Sequence, residues 1–211
     1  MRIEPHTFGA TDLVGGNLAL DLINTVTARD SEPRDWLPDY AALLRWARQS
    51  GAFTARDLMA LDRLALAEPR KAQAALARAK TLREALCAIT YALLRGRMPA
   101  AADLAHLDAA QTAASAAAQL VRRDGRLRRC WNVQRSQLDF ITHVVAMRAI
   151  ALLEEAELQR LRVCDGHDCG WVFLDTSKSG RRRWCDMATC GNTAKSQRFQ
   201  QRQAAPARRS A

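Results

Sequence analysis

The sequence predicts a mainly α fold: an N-terminal multi-helix bundle followed by a small treble-clef-like module, built as a β-hairpin plus a helix. Three observations carry this reading. Apolar residues recur at helical spacing through most of the chain, as with Leu82, Leu86, Ile89 and Leu93 at i, i+4, i+7 and i+11. Four of the six cysteines, Cys164, Cys169, Cys185 and Cys190, fall inside 27 residues as C-x4-C-x15-C-x4-C. Positive charge gathers in the same C-terminal region. The 211 residues, 48 % hydrophobic, suffice for one sizeable core plus a satellite unit.

Taken in order, the first thirteen residues read as extended. Gly15, Gly16 and Asn17 punctuate the chain before residues 18–26, whose apolar spacing is that of a short helix. Residues 30–38 form a loop with two prolines, Pro38 standing where a helix begins. Leu43, Leu44, Trp46 and Ala47 give the next helix its apolar face, and Gly51 ends it. Thr54 is a suitable N-cap for a helix through Leu58, Leu61 and Ala65. Residues 69–95 are one long amphipathic stretch closed by Gly96 and Pro99, and an Ala-rich helix follows over about 101–119. Asp124-Gly125 marks a hairpin between Leu120-Val121 and Leu127. The longest helical signal runs from about Asn132 to Leu161. Its middle is apolar nearly all round, as expected of the central helix of a bundle, and His143 on it reads as a hydrogen-bonded core histidine. The expected domains are 1–161, 162–204 and a disordered tail, 205–211.

No apolar run follows Met1 to His6, so no export signal is read. The most apolar stretch, residues 144–153, is interrupted by Arg148 and falls short of the ~18 residues of a membrane helix. The chain is therefore expected in the cytoplasm, where thiols stay reduced, and the four clustered cysteines read as a metal site. Two thiolate pairs separated by fifteen residues converge tetrahedrally on one Zn²⁺ with Zn–S distances of ~2.3 Å, leaving no position for water. Such a zinc is structural. His167 stands beside an already complete set. Within the module, 164–169 is a ligand-bearing turn, 171–174 a strand, 177–180 a turn and 181–184 the return strand. A helix capped by Asn192 or Thr193 supplies the last ligand, and Trp171, Phe173 and Trp184 make the small core.

The net charge is +10. From Arg160 onward eleven Lys/Arg stand against four Asp, a local balance of +7, lowered to about +5 by four thiolates and one Zn²⁺. Residues 1–159 carry only +3. Lys195, Arg198 and Arg202 lie at i, i+3 and i+7 on one helix face and, with Arg181, Arg182 and Arg183, form a phosphate-binding surface. Asp21, Asn24, Thr25 and Arg29 sit on or just after an otherwise apolar helix. They either line a small-molecule pocket with Trp46 as a wall, or cap neighbouring helices and tie down the loop before Pro33.

Residues 183–195, RWCDMATCGNTAK, with the preceding Cys164-x4-Cys169-Gly170-Trp171, resemble the signature of the CGNR zinc-finger family. Residues 15–25, GGNLALDLINT, look like the opening of the ABATE domain that precedes this finger. The family is regarded as stress-related bacterial transcription regulators, which implies DNA as partner. One departure is Thr193, where the family name calls for Arg.

The reading reached is a bacterial DNA-binding transcription regulator: the four-cysteine zinc finger contacts DNA, and the helical domain positions it and senses a small molecule. A zinc-stabilised protein–protein interaction module is the alternative. The sequence holds no paired carboxylates, nucleophile elbow, phosphate loop or open metal site, so it does not read as an enzyme. It leaves room for a small-molecule effector and a homodimer, and for no membrane partner.

Overall fold

The computed structural model describes residues 1–154 and 156–204. The expected tail, 205–211, lies outside them. Helix α1 (Leu18–Ile23) is capped by Asn17, whose Oδ1 accepts the Ala19 N–H at 2.9 Å. Asp39 caps α2 (Tyr40–Ser50), one residue past the proline expected to start it, and Gly51 closes it in the left-handed region at φ +66. Thr54 caps α3 (Ala55–Ala67) as expected, accepting from Asp57 N at 3.1 Å. Helices α4 (Pro69–Leu94) and α5 (Ala101–Ala117) follow the amphipathic and Ala-rich stretches.

The longest helical signal is not one helix. After α6 (Val133–Ser136), Gln137 adopts φ +49, a 3-10 turn spans Gln137–Asp139, and α7 (Phe140–Glu154) begins on a new axis. A side chain in the left-handed region cannot continue a right-handed helix. The chain then passes through a 3-10 turn, Ala156–Arg160. Helix α7 is the central one: it packs on α1, α4 and α5, with Ile141, Val145, Ala146 and Ala149 at most 1 % exposed. Burying one such Ile or Val contributes about 2 kcal/mol. Counting from Val133 to Glu154, the run is long and apolar enough to span a bilayer, longer than the sequence estimate allowed, but its apolar face is committed to this core.

Three small sheets decorate the helices. The N-terminal residues, expected to be merely extended, include β1 (Arg2–Ile3), which pairs parallel with β3 (Arg34–Asp35); β2 (Val26–Thr27) pairs antiparallel on the other side of β3. The Asp124-Gly125 turn joins β4 (Gln119–Arg123) to β5 (Arg126–Cys130), as the sequence predicts. The C-terminal hairpin differs from expectation. Strand β7 (Val172–Leu174) pairs with β6 (Leu161–Val163), in register Leu161↔Leu174 and Val163↔Val172, rather than with residues 181–184. The central helical signal therefore ends early, because Leu161, Arg162 and Val163 are taken up as the finger's first strand.

Candidate metal centre and nucleic-acid face

Strand β6 delivers Cys164 into a tight turn closed by Cys164 N–H to Trp171 O at 2.8 Å. Gly166 N–H and Cys185 N–H both donate to Cys164 Sγ, at 3.3 and 3.2 Å. Any Cβ on residue 166 would fall 2.9 Å from Cys190 Sγ, so the turn fits around the sulfurs only with glycine. Asp186 opens the last ligand-bearing segment: its carboxylate accepts Thr189 N–H at 2.8 Å, capping a π-helical turn (Met187–Gly191) that carries Cys190 into α8 (Asn192–Ala204). This corrects the expected cap. Asn192 is already helical, and Thr193 Oγ1 donates to Thr189 O at 3.1 Å, on an exposed turn.

The four sulfurs lie within 4.8 Å of one another. Cys169–Cys185 and Cys185–Cys190 are 3.8 and 3.6 Å apart, close to the ~3.8 Å edge of a tetrahedron with ~2.3 Å metal–sulfur bonds and far beyond a disulfide at ~2.05 Å. The quartet fits one structural zinc ion. Four thiolates so close repel one another, and a divalent cation is the charge that reconciles them. His167 stays outside the set, 2.9 Å from Asp168.

The aromatic core of the finger contains Trp171, Phe173 and Trp184 as expected, joined by Val14 and Trp36 from the N-terminal part of the chain. Trp36 meets Trp171 edge to face at 5.6 Å and stacks on His6 at 3.7 Å. The finger's small core therefore draws on both parts of the chain.

The six basic residues have unequal surroundings. The Arg182 guanidinium lies 4.4 Å over Phe173 and donates to Trp184 O at 2.9 Å and to Cys185 O. Its own N–H is held by Asp175, which also accepts from Ser177 N–H. Arg183 is exposed, pairs with Asp165 at 2.7 Å and lies over Trp184. Arg181 and Lys195 are exposed and have no ion-pair partner among the described residues. Arg198 and Arg202 lie on α8, and their side chains are outside the description.

Of the four polar residues on or just after α1, Asn24 bonds to the finger, and the bonds of Asp21, Thr25 and Arg29 stay within the N-terminal part. Asn24, 1 % exposed, donates from Nδ2 to Val172 O and accepts Val172 N–H on Oδ1, both at 2.9 Å. Gly15 O, in the segment before α1, accepts Leu174 N–H at 2.9 Å and ties that segment to β7. Asp21 accepts Gly15 N–H at 2.8 Å, and burial pushes its carboxyl up to about 6. Thr25 donates to Leu22 O and accepts from Arg83. Arg29 binds Glu84 at 2.8 Å and Ile23 O at 3.1 Å. Trp46 is fully buried in the bundle.

Sequence reasoning missed two groups. The first completes the socket: Ala28 N–H donates to Cys169 O at 3.0 Å, and Tyr91 Oη donates to Gly170 O at 2.5 Å. Gly170, at φ +67, sits where a Cβ would press on Arg29 and on that hydroxyl, both 3.2 Å away. The second is the β4–β5 ribbon, where Arg122, Arg123, Arg126, Arg128 and Arg129 are all exposed, with Leu120 and Leu127 about 70 % exposed beside them. An arginine count by segment would have found it.

A family model named ABATE, described as "Putative stress-induced transcription regulator", matches residues 16–156, and the CGNR zinc finger model matches residues 160–203. No curated protein matches the chain.

Proposed function

The chain belongs to the ABATE family and carries a CGNR zinc finger at its C-terminal end, and from that premise we propose that it is a DNA-binding transcription regulator. The zinc finger contacts DNA and the helical domain holds it at a fixed angle. One observation carries the reading: a finger whose sulfurs fit one zinc presents Arg181, Arg183 and Lys195 outward, on the same module as Arg198 and Arg202. Zinc binding folds the module, since the free energy of such sites is largely folding free energy. Arginines then engage phosphates, and Arg182, spent on Phe173 and two backbone carbonyls, positions the loop that bears Arg181 and Arg183. The five exposed arginines of the β4–β5 ribbon offer a second basic surface to phosphates.

The test is fluorescence anisotropy of a labelled duplex against the zinc-loaded protein over several salt concentrations, with Cys185→Ser as control. Saturable binding that weakens linearly in log–log with salt and is lost in the variant supports the reading. No binding at low salt would overturn it and leave a zinc-stabilised protein–protein interaction module.

A further inference from the structure

A groove of about 690 Å³ lies between α7, the end of β5 with Trp131, and residues 52–54, which join α2 to α3. Its wall on α7 is Phe140, Val144, Met147, Arg148 and Ala151, spaced i, i+4, i+7, i+8 and i+11 on one helix face. From Phe140 to Ala151 this face is about 16 Å long, at ~1.5 Å per residue. Phe53 meets Phe140 edge to face at 5.7 Å and, with Trp131, continues the apolar floor. Val144, Met147 and Trp131 are half-buried and Ala151 is exposed, so a molecule in the groove can touch them. The stripe excludes His143, which is buried with Nδ1 unpartnered and so is not the hydrogen-bonded core histidine expected.

The rim carries Arg123, Arg128, Arg129 and Arg148. All four are exposed, and none has an ion-pair or hydrogen-bond partner among the described residues. Asp57, the one acidic residue lining the groove, is occupied: it accepts the Thr54 hydroxyl at 2.7 Å. Thr54 Oγ1 in turn accepts Asp57 N–H, and Trp131 Nε1 donates to Ala114 O at 2.7 Å. Apart from the weak Cys130 thiol, the uncommitted polar side chains of the groove are therefore all cationic. Arg122 and Arg126 of the same ribbon stay outside it.

We propose that this groove binds a carboxylate carried on a linear apolar chain, the class of a free fatty acid. An anionic head is what the four guanidinium groups lack, and Arg–carboxylate pairs are among the strong hydrogen bonds. The rest of the ligand must be apolar, because a peptide or a nucleobase would set polar groups on a floor with no partners left for them. An extended chain advances ~1.2 Å per bond, so about twelve carbons span the α7 face. The volume is within the roughly 300–1,000 Å³ of small-molecule sites. The inference is independent of DNA binding, because its test contains no DNA and either can fail alone.

The experiment is isothermal titration calorimetry of the full zinc-loaded chain with dodecanoate below its micellar range. Acetate supplies the head without the chain, and dodecyltrimethylammonium the chain with the opposite charge. Dodecanoate is expected to saturate one site, with the other two more than about tenfold weaker. Arg128→Gln combined with Arg148→Gln weakens dodecanoate about tenfold or more by removing charge-assisted hydrogen bonds. Arg122→Gln, of the same charge change outside the groove, leaves its affinity unaltered. Ala151→Trp, at the exposed rim, fills the groove and weakens binding with the unfolding curve unchanged. No saturation would overturn the proposal. So would equal losses from Arg122→Gln and the double variant, the mark of diffuse attraction to a basic chain, or equal binding of the cation. Affinity unmoved by Ala151→Trp would place the chain elsewhere and overturn it too.

Discussion

The Asn24 carboxamide and the Val172 peptide face each other as neighbouring strands do, exchanging two hydrogen bonds of 2.9 Å in a site that is closed to water. The two residues are 148 positions apart. One caps the opening helix of the bundle, and the other is in the finger strand that follows Cys169. Asn24→Ala strands both Val172 groups without partners and is expected to destabilise the protein by about 2–4 kcal/mol. Asn24→Asp keeps the acceptor but sets a buried carboxylate oxygen against Val172 O, and should cost at least as much as Asn24→Ala in urea unfolding.

Asp35 gives the fold an acid-sensitive clamp. It is 3 % exposed and binds Arg83 at 2.8 and 3.1 Å and Lys80 at 2.7 Å. Burial pushes its carboxyl up, but the Arg83 guanidinium outweighs this and holds it at about 2. A carboxyl depressed from 3.8 contributes stability above that value and loses it as pH falls through about 2; the contribution is about 2 kcal/mol. Asp35→Asn should flatten the stability profile across this window, as read by chemical unfolding at stepped pH. Asp35→Ala leaves the buried Arg83 with only Glu84 and Thr25 as partners and should cost about 2–4 kcal/mol.

Asp21 has the opposite sign. Burial raises its carboxyl to about 6, with Gly15 N–H pulling it back only in part. The folded state therefore binds this proton more tightly than the unfolded chain, and the stabilisation present below about 4 is lost as pH rises through 6. Asp21→Asn retains an acceptor for Gly15 and is expected to stabilise the protein by about 1–2 kcal/mol at pH 7, with the gain vanishing below about pH 4.

On the nucleic-acid face, Arg181→Ala should leave the fold intact, weaken binding to all duplexes alike and lower the salt slope by about one. Arg126→Ala in the β4–β5 ribbon should do the same. Arg182→Ala should instead lower thermal stability, since it removes the guanidinium from Phe173 and leaves Trp184 O and Cys185 O unpaired.

Local signals in the sequence were legible where local physics decides. Thr54, Gly51 and Asp124-Gly125 each fix a helix end or a turn within three residues, and the cysteine spacing gives the ligand set because a knuckle is closed by its own backbone. Long-range choices were not. Residues 161–163 and 181–184 both offer a partner for β7; in the structure the first pairs with it, while Arg182 N–H goes to the carboxylate of Asp175 and Arg183 O to Asp165 N–H. Asn24 stands out as polar on an apolar helix, but nothing in its neighbourhood names Val172. The break at Gln137 depends on a left-handed residue that carries no glycine to announce it.

The central claim is that finger and helical bundle form one cooperative unit, joined by Asn24 to Val172, Gly15 to Leu174, Ala28 to Cys169 and Tyr91 to Gly170. Differential scanning calorimetry of the full chain, zinc-loaded and with a strong chelator, tests it most directly. One transition is expected, with calorimetric and van't Hoff enthalpies equal, and chelation should shift the whole of it downward. Two transitions in the zinc-loaded protein, with the larger one unmoved by chelation, would contradict the claim.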